Sequence, residues 1–571
     1  MAKKSGFCMG VRRAMELALE ANYRHPDPVS TFGPLIHNPQ VLSILEQKGI
    51  GILDPGENQP SGTVIIRAHG IPPQQYEHLK KSGCTIVDAT CPRVIKVQAI
   101  IRKHAQGGYT PIIVGDRDHP EVIGLLGFSQ DRGLVVTHPE QVKDLPELDR
   151  VLVVAQTTQD ESIFQKTVEK IRERFPNSLV FNTICNATHE RQEEVRNLAG
   201  QVDALVVVGG YSSGNTRRLA AIAESVGTPC FHVETEEELE KERLRRFKSI
   251  GITAGASTPN WMIRKVVQEL EMIRGEGSYF WSAAAFKTLR FLLKSNLLIA
   301  LGAGCLSLVV ARLRQVPLNG FYFVITFLNI YAMHILNHLL DRGAAEYNDP
   351  DRSQFYQKHK AVFLFSGLGA VLLSLALTAT LGWRPFLFLT AMSTLGILYS
   401  FQIVPAVWQR FTQMKKIKDI PASKTLSVAL GWGGVTTLIP AMAEHQPFSL
   451  SLVFVFFIIS LFVYIRSGLF DVLDIQGDMI VGKETLPIII GEEKTIRFLK
   501  GLSLAAMAAL GIGVLGGLLP LWSLLLLISF IYQLIFLFIY EKSRALPGSV
   551  FFETLVESGF FLAGLTALLA F

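Results

Sequence analysis

Hydrophobic positions along the chain follow two regimes. Up to about residue 274, apolar runs of a few residues alternate with stretches in which apolar residues recur every three or four positions. The short runs Val64–Ile66, Thr85–Val87, Pro111–Val114, Leu134–Val136, Val151–Val154, Ala204–Val208 and Ser249–Ile252 read as buried strands. The periodic stretches between them read as helices, the signature of a parallel α/β sheet. From about residue 290 the apolar runs lengthen to about 20 residues, enough to cross a bilayer. They cover 295–313, 319–340, 361–382, 384–405, 423–443, 449–467, 499–519, 521–540 and 551–571. The expected division is a soluble α/β domain at 1–274, a linker with an amphipathic approach at 275–294, and an all-α polytopic membrane domain of about nine transmembrane helices at 295–571.

One construction occurs three times in the soluble half. Thr85-Ile-Val-Asp-Ala-Thr-Cys91-Pro92 runs from a strand into a helix expected over Arg93–His104. Ser5-Gly-Phe-Cys8-Met-Gly precedes a helical run from Val11 to Ala21, and Leu179-Val-Phe-Asn-Thr-Ile-Cys185-Asn-Ala-Thr188 precedes one from His189 to Leu198. A cysteine where a strand ends and a helix begins meets free backbone N–H groups and the positive end of the helix dipole, which favour a thiolate. Three such units predict a pseudo-threefold internal repeat.

Bulk composition removes other function classes. A net charge of +6 over 571 residues is too small to suggest nucleic acid. Six cysteines are too few for a disulfide scaffold. The start, Met1-Ala-Lys-Lys-Ser-Gly, has no apolar signal core, so the soluble half is expected in the reducing cytoplasm, where thiols bind metal or act catalytically. Cys84 and Cys230 sit inside apolar strands and read as ordinary buried residues. Lysines and arginines concentrate in the loops on the same side as the soluble half, so the membrane domain is expected to leave that half cytoplasmic at a cell (inner) membrane.

Polar residues cluster where the strands end, which is where open α/β sheets bind ligands. The clusters are Gly33-Pro-Leu-Ile-His37-Asn38, Arg67-Ala-His69-Gly70, Gly115-Asp-Arg-Asp-His119-Pro-Glu121, Gln156-Thr157-Thr158, Gly210-Tyr-Ser212-Ser213-Gly214-Asn215-Thr216 and Thr253-Ala-Gly-Ala-Ser257-Thr258. Three thiolates can hold three irons of a cubane cluster and leave the fourth open to substrate. Imidazoles and neutral donors suit a diphosphate.

These motifs resemble the 4-hydroxy-3-methylbut-2-enyl diphosphate reductase (IspH/LytB) family over nearly all of residues 5–270. The resemblance implies three α/β units around a central [4Fe–4S] cluster held by Cys8, Cys91 and Cys185. It implies diphosphate binding by His37, His69, Ser213, Asn215 and Ser257, with backbone help from Ser212 or Gly214. His119 and Glu121 resemble the proton-delivery pair, and Thr157 the threonine near the substrate hydroxyl. Ferredoxin or flavodoxin is the electron donor that the family implies.

The membrane half carries two acidic motifs. Asn337 and Asp341 are four apart and share a helix face. Asp471, Asp474 and Asp478 occur at spacings of three and four and, if helical, form one carboxylate stripe. A carboxylate in lipid costs roughly 2.5–3.5 kcal/mol, and Mg²⁺ shared with substrate phosphates would offset that and their mutual repulsion. The two motifs resemble those of the UbiA superfamily of intramembrane prenyltransferases, the second closely. In the first, His338 stands where an acidic residue is usual and Glu346 is displaced by one. The resemblance implies Mg²⁺ and prenyl diphosphate binding at both motifs, with Lys418 and Lys424 helping to hold the diphosphate, and prenyl transfer to a lipophilic acceptor. The leading expectation is a bifunctional isoprenoid enzyme. The alternatives are the same reductase on a catalytically inactive UbiA-like anchor, and a non-enzymatic iron–sulfur sensor.

Overall fold

The structure, a computed structural model, describes residues 1–25, 27–54, 60–275, 283–340, 348–399, 422–481, 485–543 and 550–569. It divides into two compact units, Met1–Ile273 and Arg274–Phe571.

The N-terminal unit contains three separate parallel sheets. The strands are β1 (Val29–Phe32), β2 (Ile50–Leu53), β3 (Thr63–Ile66), β4 (Thr85–Asp88), β5 (Thr110–Val114), β6 (Leu134–Val136), β7 (Val151–Ala155), β8 (Leu179–Phe181), β9 (Ala204–Val208), β10 (Cys230–Val233) and β11 (Ile250–Ala254). Their orders are β2-β1-β3-β4, β6-β5-β7-β8 and β10-β9-β11. All neighbouring strands pair in parallel. β7 and β9 are buried at every position. Helices therefore cover both faces, as continuous Val/Leu runs require.

The third sheet repeats the plan of the other two with its fourth place taken by the chain start. The Ala2 N–H donates to the Ile252 carbonyl of β11 at 2.7 Å, and Ala2 is buried. β4 beside β3 leads to Cys91, β8 beside β7 leads to Cys185, and the segment beside β11 leads to Cys8. The expected threefold repeat is present, closed by residues from both ends of the unit.

The expected strands are all found. β1 and β2 were not among them, because Val-Ser-Thr-Phe and Ile-Gly-Ile-Leu are too short and too interrupted to stand out. The helices after the cysteines run Met9–Arg24, Pro92–Gln106 and Asn186–Ala199, each beginning within one residue of its cysteine.

The second unit is helical, and its apolar helices make the chain a multi-pass membrane protein. Seven described helices are long and apolar enough to cross a membrane, among them Gly320–Leu340, Ser423–Ala443, Leu450–Leu473 and Val550–Leu569. An eighth candidate is the pair Ala284–Lys294 and Leu297–Leu313, bent by 73°. The bend falls at Asn296, whose φ of 59° is left-handed and whose Nδ2 donates to Tyr356 Oη at 2.7 Å. The remaining expected run contains the shorter apolar helix Trp383–Leu398 and continues beyond the described residues.

Two spans are longer than their hydropathy suggests. Leu450–Leu473 carries Arg466 and Asp471 within the helix, and Glu492–Leu515 begins at Glu492 rather than at residue 499. A charge lowers hydropathy without ending a helix, since the backbone hydrogen bonds continue through it.

Candidate functional site

The three sheets place their chemistry by one rule. The Cys91 N–H donates to the Ala68 carbonyl at 2.9 Å, Cys185 to Thr157 at 2.9 Å and Cys8 to Ala256 at 3.1 Å. Each acceptor lies two residues past the end of β3, β7 or β11. The hydrogen bond fixes each cysteine at the N-cap of the helix that follows. The residues after β1, β5 and β9 obey a second rule: a glycine comes first (Gly33, Gly115, Gly209), and a polar side chain stands five residues past the strand end (His37, His119, Ser213).

All three thiols line one cavity of about 110 Å³ with His37, His69, His119, Glu121, Thr157, Ser213, Asn215 and Ser257. The soluble-half site residues named from the sequence therefore meet in one place, Gly214 included, except Ser212, which lines the larger neighbouring cavity. None of the six cysteines is in a disulfide. The Val11 N–H points at Cys8 Sγ (3.5 Å). Burial pushes the Cys91 thiol above the usual cysteine range, with Cys8 and Cys185 acting in the same direction and the Arg93 and Val94 N–H groups opposing. A Cβ added at Gly10 would lie 2.6 Å from Cys91 Sγ and 3.9 Å from Cys8 Sγ, so glycine there lets two sulfurs approach one helix start.

The imidazoles of His37, His69 and His119 form a triangle with ring centroids 4.7, 5.3 and 5.3 Å apart. One nitrogen from each lies within 4.8 Å of the others. All three titrate low: His37 through burial and then Arg67 and Arg217, and His69 well below the usual range through burial and its two histidine neighbours. His119 falls to about 3, through burial, then His37 and three arginines. His119 Nδ1 accepts the Glu121 N–H at 3.1 Å, leaving Nε2 free to face the cavity.

Glu121 is 2% exposed and accepts from the Thr157 N–H (2.7 Å) and Thr157 hydroxyl (2.8 Å). Burial raises its pKa despite those two bonds, so it keeps its proton to higher pH than an ordinary glutamate. Ser213 caps the helix Gly214–Ser225, and the Ser257 hydroxyl reaches the His37 carbonyl at 3.1 Å and Ser213 Oγ at 3.4 Å.

Five buried polar atoms of the residues lining this cavity have no hydrogen-bond partner: His37 Nε2, His69 Nδ1, Arg191 Nε, and both Nδ2 and Oδ1 of Asn215. Such atoms are costly to leave unmet. An oxygen-rich anion meets the N–H donors among them and a hydroxyl on the same ligand can donate to Asn215 Oδ1, while three free thiols at helix N-termini suit an iron–sulfur cluster. The residues present fit both groups.

A larger cavity of about 650 Å³ shares His37, His119 and Gly214 with the first and is lined further by Asp116, Arg117, Asp118, Arg217 and Arg218. The sequence reading assigned no role to Arg218 or Arg191. Arg218 pairs with Asp116 (2.9 Å) and donates to Gln159 Oε1 (3.1 Å) and Thr158 Oγ1 (3.2 Å), tying the third sheet's helix to the loop after β7. Arg191 is buried, donates to the Gly6 carbonyl at 2.6 Å and the Ala187 carbonyl at 3.2 Å, and lies in electrostatic reach of Cys8 and Cys185.

In the membrane unit, the Leu450–Leu473 helix ends within the second acidic motif. Asp474 is its C-cap, and Asp478 lies on the short helix Ile475–Val481. The expected single stripe is thus kinked, yet the Asp478 N–H still donates to the Asp474 carbonyl at 3.0 Å. Lys424 joins the two arms, with Nζ 2.9 Å from Asp471 Oδ1 and 3.2 Å from Asp478 Oδ2. The Thr425 hydroxyl also donates to Asp471. Asn348, from the first motif, donates to Asp478 Oδ1 at 3.0 Å and packs on Gly477, where any side chain would collide with it. The two motifs therefore touch. Asp474 interacts electrostatically with Arg352 and Lys424. Asn337 lies near the end of Gly320–Leu340, and the ring of the adjacent His338 lies 4.2 Å from that of Tyr356, tilted by 44°. Asp341, Glu346 and Lys418 lie outside the described residues.

Comparison with known proteins divides the chain at the same place. Residues 1–271 match the family model described as LytB protein, and residues 296–563 match the UbiA prenyltransferase family. The first part is similar to the 4-hydroxy-3-methylbut-2-enyl diphosphate reductase of Aquifex aeolicus (strain VF5), at 43% identity over 276 residues, covering 48% of this chain and 96% of that one. It is also similar to the reductase of Solidesulfovibrio magneticus, at 46% identity over 279 residues, covering 47% and 98%. The second part is similar to the structure of a UbiA homolog from Archaeoglobus fulgidus bound to GPP and Mg²⁺, at 17% identity and TM-score 0.35, covering 49% and 98%.

The depressed histidines fix a pH dependence. Their folded pKa values lie below the unfolded value of 6.5, so the stability associated with their neutral forms is full above that pH and is lost as pH falls toward about 3. Thermal melts of the cluster-free protein should show the N-terminal unit weakening through this window, and His119→Asn should flatten the slope. Lys424→Met should cost the membrane unit about 3 kcal/mol by leaving Asp471 and Asp478 unpaired. Millimolar Mg²⁺ should restore most of the lost melting temperature; a melt indifferent to Mg²⁺ would mean that these carboxylates gather no cation.

Proposed function

This chain belongs to the LytB family of 4-hydroxy-3-methylbut-2-enyl diphosphate reductases through residues 1–271 and carries a UbiA prenyltransferase family domain at 296–563, and from that membership we propose a bifunctional isoprenoid enzyme. Residues 1–274 would reduce 4-hydroxy-3-methylbut-2-enyl diphosphate to isopentenyl and dimethylallyl diphosphates. Residues 295–571 would transfer a prenyl group to a lipophilic acceptor with Mg²⁺. The observation that carries the reading is the single cavity in which three N-cap thiols face unpartnered imidazole and amide atoms.

Cys8, Cys91 and Cys185 would hold a [4Fe–4S] cluster through three of its irons. When bound, such a cluster supplies electrons one at a time beside an open iron for the substrate's hydroxyl. His37, His69, Asn215, Ser213 and Ser257 bind the diphosphate, through N–H and O–H donors that neutral imidazoles, an amide and hydroxyls provide. Two arginines, Arg217 and Arg218, line the approach and steer the anion inward. Glu121, whose pKa burial raises, delivers a proton to the leaving hydroxyl, and Thr157 holds the carboxyl in that orientation. The reaction consumes two electrons and two protons. One proton leaves with the hydroxyl as water, and the other ends on the allylic carbon. A ferredoxin or flavodoxin would supply the electrons from the cytoplasm, the side on which the arginine- and lysine-rich loops would put this unit.

In the membrane unit, Asp471, Asp474 and Asp478 with Asn337 and Asp341 would gather Mg²⁺ around the donor's diphosphate. Lys424 already serves as the counterion of two of these carboxylates. With those carboxylates engaged by Mg²⁺, the Lys424 ammonium would be available to a diphosphate oxygen. The contact of Asn348 with Asp478 supports one joint site over an inert anchor.

Two assays on anaerobically purified protein test the two activities separately. Glu121→Gln should lower the reductase kcat by about 100-fold or more with little change in KM, since the role concerns proton delivery rather than binding. Asp478→Asn should abolish Mg²⁺-dependent incorporation of labelled prenyl diphosphate into a membrane lipid extract while leaving reduction intact. Reduction alone, with no prenylated product from the wild-type protein, would leave the anchor reading.

A further inference from the structure

One ion pair in the membrane unit belongs to neither acidic motif. Arg466, on Leu450–Leu473, donates through Nη2 to Glu557 Oε1 on Val550–Leu569. Glu557 is 3% exposed. The pair is half satisfied: Arg466 Nε and Glu557 Oε2 are buried and have no hydrogen-bond partner. The Arg466 guanidinium lies 4.1 Å over the Phe470 ring. Trp432 stands 5.4 Å from Phe560, the residue three beyond Glu557, and 5.9 Å from His334, which is in electrostatic reach of Arg466. Four membrane helices thus send His334, Trp432, Arg466 and Glu557 to one place.

Ionisable side chains within a span are expensive and mark function by default. Arg466 and Glu557 together are neutral, so the pair has little to offer an anion. What it leaves over is one N–H donor and one carboxylate oxygen. A hydroxyl matches both, because it accepts from the first and donates to the second. An ether meets only the donor, and a hydrocarbon neither.

Position ties this spot to the chemistry already described. Arg466 precedes Asp471 by five residues on the same helix, about 7 Å along the axis at ~1.5 Å per residue. Glu557 lies four residues beyond Glu553, whose carboxylate is 3.4 Å from Arg352, itself 3.4 Å from Asp349 of the first motif. The unmet atoms therefore sit one to two helical turns past the carboxylates, on the apolar side.

We propose that Arg466 and Glu557 bind the hydroxyl of the prenyl acceptor, which makes the acceptor a lipophilic alcohol or phenol, with Glu557 taking the proton that transfer releases. This rests on the prenyltransferase reading above. In the step, the allylic C–O bond of the donor breaks and its electron pair leaves with the diphosphate. The acceptor supplies the electron pair of the new bond, from its oxygen or from a ring carbon activated by it. The displaced proton goes to Glu557 Oε2.

The test uses the full chain in lipid nanodiscs with Mg²⁺, a labelled prenyl diphosphate, and a membrane lipid extract offered either untreated or with its hydroxyls methylated. The wild-type protein should label the untreated extract and leave the methylated one unlabelled. Glu557→Gln, which keeps an oxygen for Arg466, should lower turnover by about 100-fold at unchanged KM for the prenyl diphosphate, and Arg466→Lys should raise the KM for the extract. Mg²⁺-dependent pyrophosphate binding by both variants, equal to wild type, shows that they are folded. Labelling of the methylated extract, or normal turnover by Glu557→Gln, overturns the proposal and leaves prenyl transfer standing. The methylated arm needs no variant, so a misfolded one does not decide the matter. No labelling of either extract by the wild type removes the prenyltransferase reading, and this proposal with it.

Discussion

The N-terminal unit depends on three backbone hydrogen bonds, those from the N–H groups of Cys8, Cys91 and Cys185 to carbonyls two residues past a strand end. Each bond closes a corner between a parallel strand and a helix, and so sets where a sulfur stands. Because the corner is repeated three times, three helix N-termini point inward with their unsatisfied N–H groups and positive dipole ends. The same field that favours thiolates favours the oxygens of a diphosphate. The histidines remain neutral chiefly because they are buried, and the nearby Arg67, Arg217 and Arg218 further disfavour positive charge on them.

The membrane unit handles charge in the opposite way. It has few free backbone N–H groups inside its spans, so its carboxylates are met by side-chain cations. Lys424 bridges Asp471 and Asp478, and Arg352 stands between Asp349 and Glu553. A lysine held between two carboxylates neutralises part of their charge and reduces their mutual repulsion. At Arg466 and Glu557 the pair retains unmet atoms.

The threefold construction was legible because a strand, a cysteine and a helix follow one another three times. Roles for His37, His69, His119, Glu121 and Asn215 came instead from the resemblance of their motifs to a known family; the glycine and polar positions after β1, β5 and β9 emerge only in the structure. The roles of Arg191 and Arg218 were not legible. Each reaches across to another part of the chain, to the Gly6 carbonyl and to Asp116, and nothing local records such a partner. In the membrane half, average hydropathy hides isolated charges. Arg466 and Glu557 fell inside runs read simply as apolar, and Asp471 was taken as lying past a span that in fact contains it.

The closure of the third corner has a consequence for the order of events during translation. Cys8 is fixed by the carbonyl of Ala256, 248 positions later, so the first cysteine made is the last to be seated. Only 27 residues separate Ala256 from Ala283, where the first of the lipid-seeking helices begins. At about 5–20 residues per second, the ribosome crosses that interval in roughly one to five seconds. The last partner of the third corner and the first apolar helix are therefore synthesised within seconds of each other.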